Sequence, residues 1–326
     1  MPRQADAAPE AVRAVLERAL GTALAISFER TADGVSTPVY RVRRGDETLY
    51  LRLAETAEDD LTSEADIHQR LRGLGVRVPG VLHVERSDPG LGRSVMLTTE
   101  IPGRPLSDGA PAEVEAVLEA AGRDLARLNS IEVEGFSWIR RDGRPLPPRG
   151  EEPAYASLVG WEVPRPWPGR LAGVMSPPEL SVLEELIEEE SRRPLATGRL
   201  AHGDFDVTHV FHEAGRYTGL IDLGELRGTE PLFDPGVFHL YDGEILERTL
   251  LPHVLRGYGQ IAPLPENHLE LIRRSAILYG LRQLCRWLGP SRNINPRHPL
   301  IRSRIRQLRK LMEEGPDLRS ARPGSG

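Results

Sequence analysis

One short segment near the middle of the chain constrains its fold and chemistry more than any other. Residues 201–224 read AHGDFDVTHVFHEAGRYTGLIDLG, with two apolar stretches on either side of a turn that contains Gly215. This pattern predicts a β-hairpin. Asp204 precedes the hairpin and Asp222 follows it, so the hairpin is expected to bring the two carboxylates close together. Carboxylates held in this way indicate acid–base catalysis or a divalent cation.

The composition is typical of a globular protein in a reducing environment. The chain has 326 residues, of which 39% are hydrophobic and 28% charged, enough for one large domain or two ordinary ones. Cys285 is the only cysteine, and no apolar run is long enough to span a bilayer. We therefore expect a cytoplasmic protein, monomeric or homodimeric, without a membrane partner. The net charge of -6 argues against a nucleic-acid partner.

The scarcity of lysine excludes one kind of nucleotide site and disfavours one kind of covalent catalysis. Lys310 is the only lysine, and Leu311 follows it, whereas a Walker phosphate-binding loop requires Gly-Lys-Ser or Gly-Lys-Thr. A spaced-glycine dinucleotide motif is also absent. Schiff-base catalysis is unfavoured for the same lack of lysine.

Residues 1–100 predict a small sheet-containing lobe of an α+β protein. Apolar periodicity predicts a helix at residues 9–20, followed by a sheet of about five strands with one helix across it. The expected elements after the first helix are a three-stranded antiparallel meander within residues 26–53, a helix at 61–74, and strands at 81–84 and 94–99.

Residues 101–314 predict a mainly helical lobe that contains the hairpin. The expected helices lie at residues 112–129, 179–190, 244–258, 266–288 and 299–312. The proline-rich and glycine-rich residues 142–178 predict an irregular excursion with a short helix. Residues 315–326 predict a disordered tail.

The central segment also has the residue spacing of a kinase catalytic loop. His202-Gly203-Asp204, then His209 after four residues, then Asp222-Leu223-Gly224 resemble the signature of the aminoglycoside phosphotransferase and choline kinase-like family. The likeness covers about residues 25–285 in the order and kind of elements. It implies a protein-kinase-like bilobal fold and transfer of the terminal phosphate of ATP or GTP, with Mg²⁺, to a small-molecule hydroxyl.

The resemblance assigns roles to the residues of this loop. Asp204, with His202 in the same loop, would be catalytic and would accept the proton of the acceptor hydroxyl. Asp222 would bind Mg²⁺. His209 stands where the family has a metal-binding asparagine, although Mg²⁺ prefers oxygen ligands. His209 would therefore bind the metal, or would instead bond Asp204 or a phosphate and leave a second ion to Asp206.

The resemblance also places an arginine at the nucleotide phosphates. Arg52 occupies the third-strand position where kinases have a lysine, and Glu64 on the following helix would fix it by an ion pair. The guanidinium group suits phosphate oxygens because it can donate two parallel hydrogen bonds. A surface ion pair unrelated to nucleotide is the structural alternative.

Two further segments would complete the nucleotide site. Gly34 and Ser36, between the first two strands, match a family loop that covers the phosphates. Glu100 and Ile101, at the junction of the lobes, match the hinge whose backbone reads the purine. Neither segment distinguishes ATP from GTP.

An acidic group downstream would bind the acceptor. Glu225, Glu230 and Asp242 correspond to carboxylates that bind amino sugars or other cationic acceptors in this family, which makes antibiotic inactivation the leading biological use. A solvated acidic face is the alternative. Asp234 matches the aspartate that braces the catalytic loop.

Two other functions remain open from the sequence. His209 replaces the family's asparagine and Arg52 replaces its lysine. These two differences allow a kinase relative that binds a nucleotide or small molecule without turnover. His202, Asp204, Asp206, His209 and His212 allow a metal-dependent hydrolase, although His209 and His212 would point to opposite faces of a strand.

Overall fold

The computed structural model describes residues 6–21, 25–31, 37–144, 146–290 and 292–314. The helices are α1 (Pro9–Leu20), α2 (Thr62–Gly73), α3 (Val114–Asn129), α4 (Tyr155–Glu162), α5 (Trp167–Leu171), α6 (Pro177–Ser191), α7 (Phe233–Tyr241), α8 (Leu251–Gly259), α9 (His268–Leu288) and α10 (Pro299–Glu313). The strands are β1 (Ile26–Arg30), β2 (Val39–Arg44), β3 (Glu47–Leu53), β4 (Val81–Glu85), β5 (Val95–Thr99), β6 (Arg104–Pro105), β7 (Glu132–Val133), β8 (Phe136–Ile139), β9 (Gly150–Glu152), β10 (Gly198–Ala201), β11 (Val210–Glu213), β12 (Arg216–Leu220) and β13 (Arg227–Thr229). The expected phosphate loop with Gly34 and Ser36, and the expected tail at 315–326, lie outside the described residues.

The amino-terminal part of the chain forms the predicted five-stranded antiparallel sheet, in the order β1-β2-β3-β5-β4. Side chains of β3 alternate, so Leu49, Leu51 and Leu53 are buried while Arg52 projects from the opposite face. The apolar side of α1 packs on this buried face. Each fully buried leucine of this kind contributes roughly 1.5–3 kcal/mol of burial free energy.

The two lobes contact each other through α2 and the segment that follows it. The backbone N–H of Arg77 donates to Asp124 on α3 at 2.9 Å, and the Arg77 carbonyl accepts from the N–H of Leu220 at 2.8 Å. Ile67 and Leu71 of α2 belong to the same apolar core as α3. Helix α2 is therefore packed against the helical lobe as well as the sheet.

The second lobe is mainly helical, as predicted, but contains a sheet that the sequence did not predict. Its strands run in the order β7-β10-β13-β8-β9, and each has only two to four residues, too few to show a period of two. A third sheet, β12-β11-β6, contains the hairpin. Within the described ranges, no helix is long and apolar enough to cross a membrane.

The helix predicted at residues 244–258 was wrong in its bounds. The structure has α7 at Phe233–Tyr241 and α8 at Leu251–Gly259, with turns between them. The sequence pattern did not predict α7 because its first turns contain Pro235 and Gly236, and both residues are poor helix formers away from a helix start. Gly236 is required by packing, since a Cβ there would lie 2.6 Å from the Cβ of Ser275 on α9.

Candidate active site

The predicted hairpin is present and brings both acidic segments to one end of the three-stranded sheet β12-β11-β6. Strands β11 and β12 pair antiparallel, with Val210 opposite Leu220. Beyond the last pair, the N–H of Ile221 donates to the carbonyl of His209 at 3.1 Å. The imidazole Nε2 of His209 then lies 3.8 Å from Oδ2 of Asp222. The residues before and after the hairpin therefore form one site.

Asp234 braces the loop before the hairpin, as predicted. One carboxylate oxygen accepts from the N–H of His202 and from the side chain of Asn129, both at 2.9 Å. The other accepts from the N–H of Gly203 at 2.9 Å. Asp234 is fully buried, so these three donors have been removed from water and depend on this carboxylate.

Replacing Asp234 with alanine is expected to lower the free energy of unfolding by about 3 kcal/mol or more, because each buried donor left without an acceptor costs about 1–3 kcal/mol. Urea unfolding followed by circular dichroism measures this change. Asp234→Asn keeps one acceptor oxygen and should lose less. A loss below about 1 kcal/mol in the alanine variant would show that the loop does not depend on this brace.

His202 joins the two acidic segments from inside the protein. Its Nε2 donates to the carbonyl of Ile221 at 2.8 Å, and its Nδ1 accepts from the N–H of Asp204 at 3.4 Å. Complete burial lowers the pKa of His202, which favours the neutral ring that this pair of bonds requires. His202 therefore positions the loop and does not face the cleft.

Asp204 is partly exposed at the mouth of the site. Its Oδ1 accepts a hydrogen bond from the hydroxyl of Tyr279 on α9 at 3.4 Å. Burial raises the pKa of Asp204, as expected for a carboxyl group that can take up a proton. Tyr279 was missed by sequence reasoning because it lies on an apolar helix, 75 residues from Asp204, with no motif around it.

His209 is held between carboxylates. Its Nδ1 donates to the backbone carbonyl of Asp204 at 2.6 Å, which leaves Nε2 directed toward Asp222. Burial lowers the pKa of His209, but the charges of Asp204, Asp206 and Asp222 outweigh burial, so the pKa is raised overall. Of the alternatives for His209, a bond to Asp204 is present, through the backbone carbonyl; a role at the metal stays a prediction.

The same group has the donors of a cation site. Ligand atoms of Asp204, Asp206 and His209 all lie within 4.8 Å of one another. The side chain of Asp222 is 61% exposed. Its backbone has a φ of 58°, and its carboxylate accepts from the N–H of Gly224 at 3.3 Å. Because three carboxylates surround one imidazole, the donor set suits a hard cation such as Mg²⁺.

His212 does not join this group. Its side chain is buried on β11, and neither ring nitrogen has a hydrogen-bond partner among the described residues. The clustered donors of the described chain are those of Asp204, Asp206 and His209. His209 precedes β11 and His212 lies on it, so the two imidazoles do not share a site, and this disfavours the metal-hydrolase alternative.

The predicted ion pair between Arg52 and Glu64 is present and largely shielded from water. Their side chains are 16% and 6% exposed, and Nη1 of Arg52 donates to Oε1 of Glu64. Arg141, which the sequence did not single out, lies 3.7 Å from the other oxygen of Glu64. Arg141 also donates to the carbonyl of Gly224 at 3.1 Å, so it connects α2 with the loop of Asp222.

The expected hinge lies at the junction of the lobes. Glu100 accepts from the hydroxyl of Tyr50 at 3.2 Å, and the side chain of Ile101 is buried. A purine-binding role for this segment stays a prediction, as does the role of Gly34 and Ser36.

The carboxylate of Glu225 is engaged within the protein. It accepts from Nε1 of Trp138 at 3.0 Å and from Nη2 of Arg227 at 2.8 Å. Its side chain is 44% exposed next to the Asp222 loop. Glu225 therefore lies at the cleft, with its charge balanced by a guanidinium group.

The other two residues expected at the acceptor are also engaged. Glu230 is 2% exposed and accepts from the hydroxyl of Ser275 at 2.8 Å, so the structure places it in the interior and not on the cleft wall. Burial raises the pKa of Glu230. Asp242 accepts from the N–H groups of Leu250 and Leu251 at 2.8 and 3.0 Å, at the start of α8.

The comparisons with known proteins agree with this geometry. A family model described as "Phosphotransferase enzyme family" matches residues 27–271. A sequence comparison with curated proteins gives no match.

Several solved structures share the fold. A thermostable mutant of aminoglycoside phosphotransferase APH(4)-Ia, in complex with AMP-PNP and hygromycin B, is 17% identical, with a TM-score of 0.67 and coverage of 94% of this chain and 99% of that one. The GDP complex of an aminoglycoside 2′-phosphotransferase-IIIa mutant is 14% identical, with a TM-score of 0.62 and coverage of 93% and 96%. A Thermobifida fusca protein assigned as a fructosamine-3-kinase is 19% identical, with a TM-score of 0.57 and coverage of 91% and 98%. These likenesses confirm the kinase-like bilobal fold.

Proposed function

Because the chain belongs to the phosphotransferase enzyme family, with a match over residues 27–271, we propose that it transfers the terminal phosphate of ATP or GTP to a hydroxyl group of a small molecule. The observation that carries the proposal is the placement of Asp204 and Asp222 on either side of His209 at one end of the hairpin. The Arg52–Glu64 pair adjoins this site through Arg141 and Gly224. We propose that the enzyme acts in the cytoplasm and that antibiotic inactivation is one use of the reaction.

Asp204 is the proposed catalytic base. The acceptor hydroxyl oxygen forms a bond to the terminal phosphorus, the bond from that phosphorus to the nucleoside diphosphate breaks, and the hydroxyl proton passes to Asp204. Tyr279 orients the carboxylate through its 3.4 Å hydrogen bond, and the His202–Asp234 contacts fix the backbone beneath it. A base fixed in this way needs little reorganisation when the acceptor binds.

Asp222, with Asp206 and His209, would hold Mg²⁺ next to the phosphates. When bound, the ion neutralises negative charge on the transferring group. Arg52 would add a second positive charge, since Glu64 holds its guanidinium at the cleft.

Replacing Arg52 with methionine is expected to weaken nucleotide binding by about 10- to 100-fold, because hydrogen bonds to charged groups contribute about 1.5–3 kcal/mol. Arg52→Lys keeps the charge and should lose less. Isothermal titration with AMP-PNP or GMP-PNP and Mg²⁺ measures the affinity. Arg43→Met, on the exposed side of β2, is the matched control. Equal affinities in the Arg52 and Arg43 methionine variants would remove Arg52 from the nucleotide site.

The proposal as a whole is tested by a thermal-shift and coupled nucleotide-turnover screen with Mg²⁺. The panel contains aminoglycosides, peptide antibiotics, macrolides and small alcohols. We expect nucleotide to raise the melting temperature and at least one hydroxyl compound to accelerate nucleotide turnover. If nucleotide binds but no acceptor accelerates its turnover, the result would favour a non-catalytic kinase relative. The differences from the family at His209 and Arg52 suggest this alternative.

A further inference from the structure

We propose that the acceptor is an uncharged compound with a planar apolar ring close to its reacting hydroxyl, bound against Trp138 and Trp161. This inference rests on the proposed function, since it concerns the acceptor of that same reaction. The family resemblance predicts a cationic acceptor. We infer an uncharged one because the carboxylates beside these tryptophans are paired with guanidinium groups.

Two tryptophans pack together beside Glu225, which follows the Asp222 loop and accepts from Nε1 of Trp138 at 3.0 Å. Trp138 lies on β8 and Trp161 on α4, and their rings meet edge to face with centroids 4.6 Å apart. Trp161 is 42% exposed, which is unusual for so large an apolar side chain beside a buried cluster. An exposed tryptophan supported from behind by packed groups offers a rigid surface on which a planar ligand can stack.

The tryptophan pair is connected to the proposed catalytic base. The guanidinium of Arg282 lies 5.4 Å from the ring of Trp138, 5.5 Å from that of Trp161 and 5.7 Å from that of Tyr279. The hydroxyl of Tyr279 in turn donates to Asp204 at 3.4 Å. A chain of side-chain contacts therefore connects the base with the tryptophans through the buried residues Arg282 and Tyr279.

Arg282 packs against both tryptophans, and one of its donor atoms makes no hydrogen bond to the described part of the chain. It is 7% exposed, and its Nη1 has no hydrogen-bond partner among the described residues, although it lies 3.4 Å from Oε1 of Glu162. Burial lowers the pKa of Arg282, with Arg227 acting in the same direction. Cation–π contacts with three rings hold the guanidinium in place.

The charges on the wall balance within the protein. Glu162 is 3% exposed and pairs with Arg227 at 3.2 Å and with Arg282 at 3.4 Å. Glu225 pairs with Arg227 at 2.8 Å. Two carboxylates thus face two guanidinium groups, and no net negative charge remains in this set to attract an amino group.

The remaining acidic residues expected at the acceptor do not change this balance. Glu230 is buried, and Asp242 is bound to backbone N–H groups of α8. A cationic group placed against the tryptophans would have to compete with these guanidinium and N–H partners and lose its own hydration, because the carboxylates on this wall are already paired. An uncharged ring on Trp161 requires neither change.

An uncharged acceptor and two cationic acceptors test the inference. The uncharged probe is 4-nitrophenyl β-D-glucopyranoside, and the cationic probes are its 2-amino-2-deoxy analogue and kanamycin, with nucleotide turnover followed in the presence of Mg²⁺. We expect kcat/KM to be about tenfold higher, or more, for the uncharged probe than for either cation. A preference for either cationic probe, or no acceleration by the uncharged one, would overturn the inference.

Substitutions at Trp161 test the stacking surface. Trp161→Ala is expected to raise KM for the uncharged probe about tenfold, whereas Trp161→Phe keeps a ring and should stay within about threefold. Leu269→Ala, at a 61% exposed site at the start of α9, is the control for loss of an exposed apolar side chain. A KM for Trp161→Ala no higher than that of the wild type or of the Leu269→Ala control would remove the tryptophan from the acceptor site.

Failure of the inference is distinguishable from failure of the proposed function. If nucleotide is bound and turned over but a cationic acceptor is preferred, the enzyme is a phosphotransferase with a different acceptor class. If AMP-PNP and GMP-PNP with Mg²⁺ give no thermal shift and no acceptor accelerates turnover, both are overturned.

Discussion

Replacing Asp204 with asparagine is expected to reduce phosphate transfer by about 10²- to 10⁴-fold, the usual contribution of a positioned general base. The amide has nearly the same shape as the carboxylate but cannot accept the hydroxyl proton as a base. The backbone of the loop is held by Asp234, and the carbonyl of Asp204 still accepts from His209, so the fold of the site should persist. Nucleotide affinity should therefore change little.

The measurement is nucleotide turnover with the best acceptor, together with titration of AMP-PNP or GMP-PNP. Asp46→Asn, at an exposed turn between β2 and β3, is the matched control for the chemical change. Undiminished turnover in Asp204→Asn would refute its role as base. Lost nucleotide binding in the same variant would instead show that Asp204 acts in the nucleotide site.

Replacing Asp222 with asparagine is expected to give a different defect, in which turnover falls by about 10³-fold and more Mg²⁺ is needed to support it. Asp222 is the most exposed carboxylate of the site, and its position between His209 and the N–H of Gly224 suits it to hold a cation at the phosphates. An amide oxygen is a weaker ligand for a hard cation than a carboxylate oxygen.

Titration of Mg²⁺ at saturating nucleotide measures this effect. We expect the half-saturating Mg²⁺ concentration to rise much more in Asp222→Asn than in Asp204→Asn. Equal Mg²⁺ dependence in all three proteins would place the cation elsewhere. His209→Asn, which restores the family's residue, then shows whether the imidazole itself is a ligand.

Much of the fold could be predicted because its signals are local. The meander of β1, β2 and β3, helix α1 and the hairpin of β11 and β12 each follow from periodicity and turn residues in a few neighbouring positions. The brace by Asp234 and the Arg52–Glu64 pair followed from the spacing of a known family, and both contacts are present.

The missed features depend on contacts between distant parts of the chain. The second sheet consists of strands too short for a pattern, and α7 begins with residues that usually end helices. Arg141 reaches Glu64 and Gly224 from an irregular segment, and Tyr279 reaches Asp204 from a helix with no motif. Their roles are set by packing, which no spacing along the sequence reveals.

The availability of the acidic residues near the cleft also could not be predicted from the sequence. A carboxylate in the sequence carries one charge, but its partners decide whether that charge is available to a ligand. Glu225 is paired with Arg227, and Glu230 is inside the protein. Neither partner can be read from residue spacing, and for this reason the family resemblance pointed to a cationic acceptor.

The central claim is tested most directly by ³¹P nuclear magnetic resonance of the wild-type protein with nucleotide, acceptor and Mg²⁺. Parallel samples contain EDTA or the Asp204→Asn variant. We predict a new phosphate monoester signal together with nucleoside diphosphate in the first sample, and neither at a comparable rate in the others. Release of inorganic phosphate from a phosphate ester with zinc, without nucleotide and without a new monoester, would contradict the account.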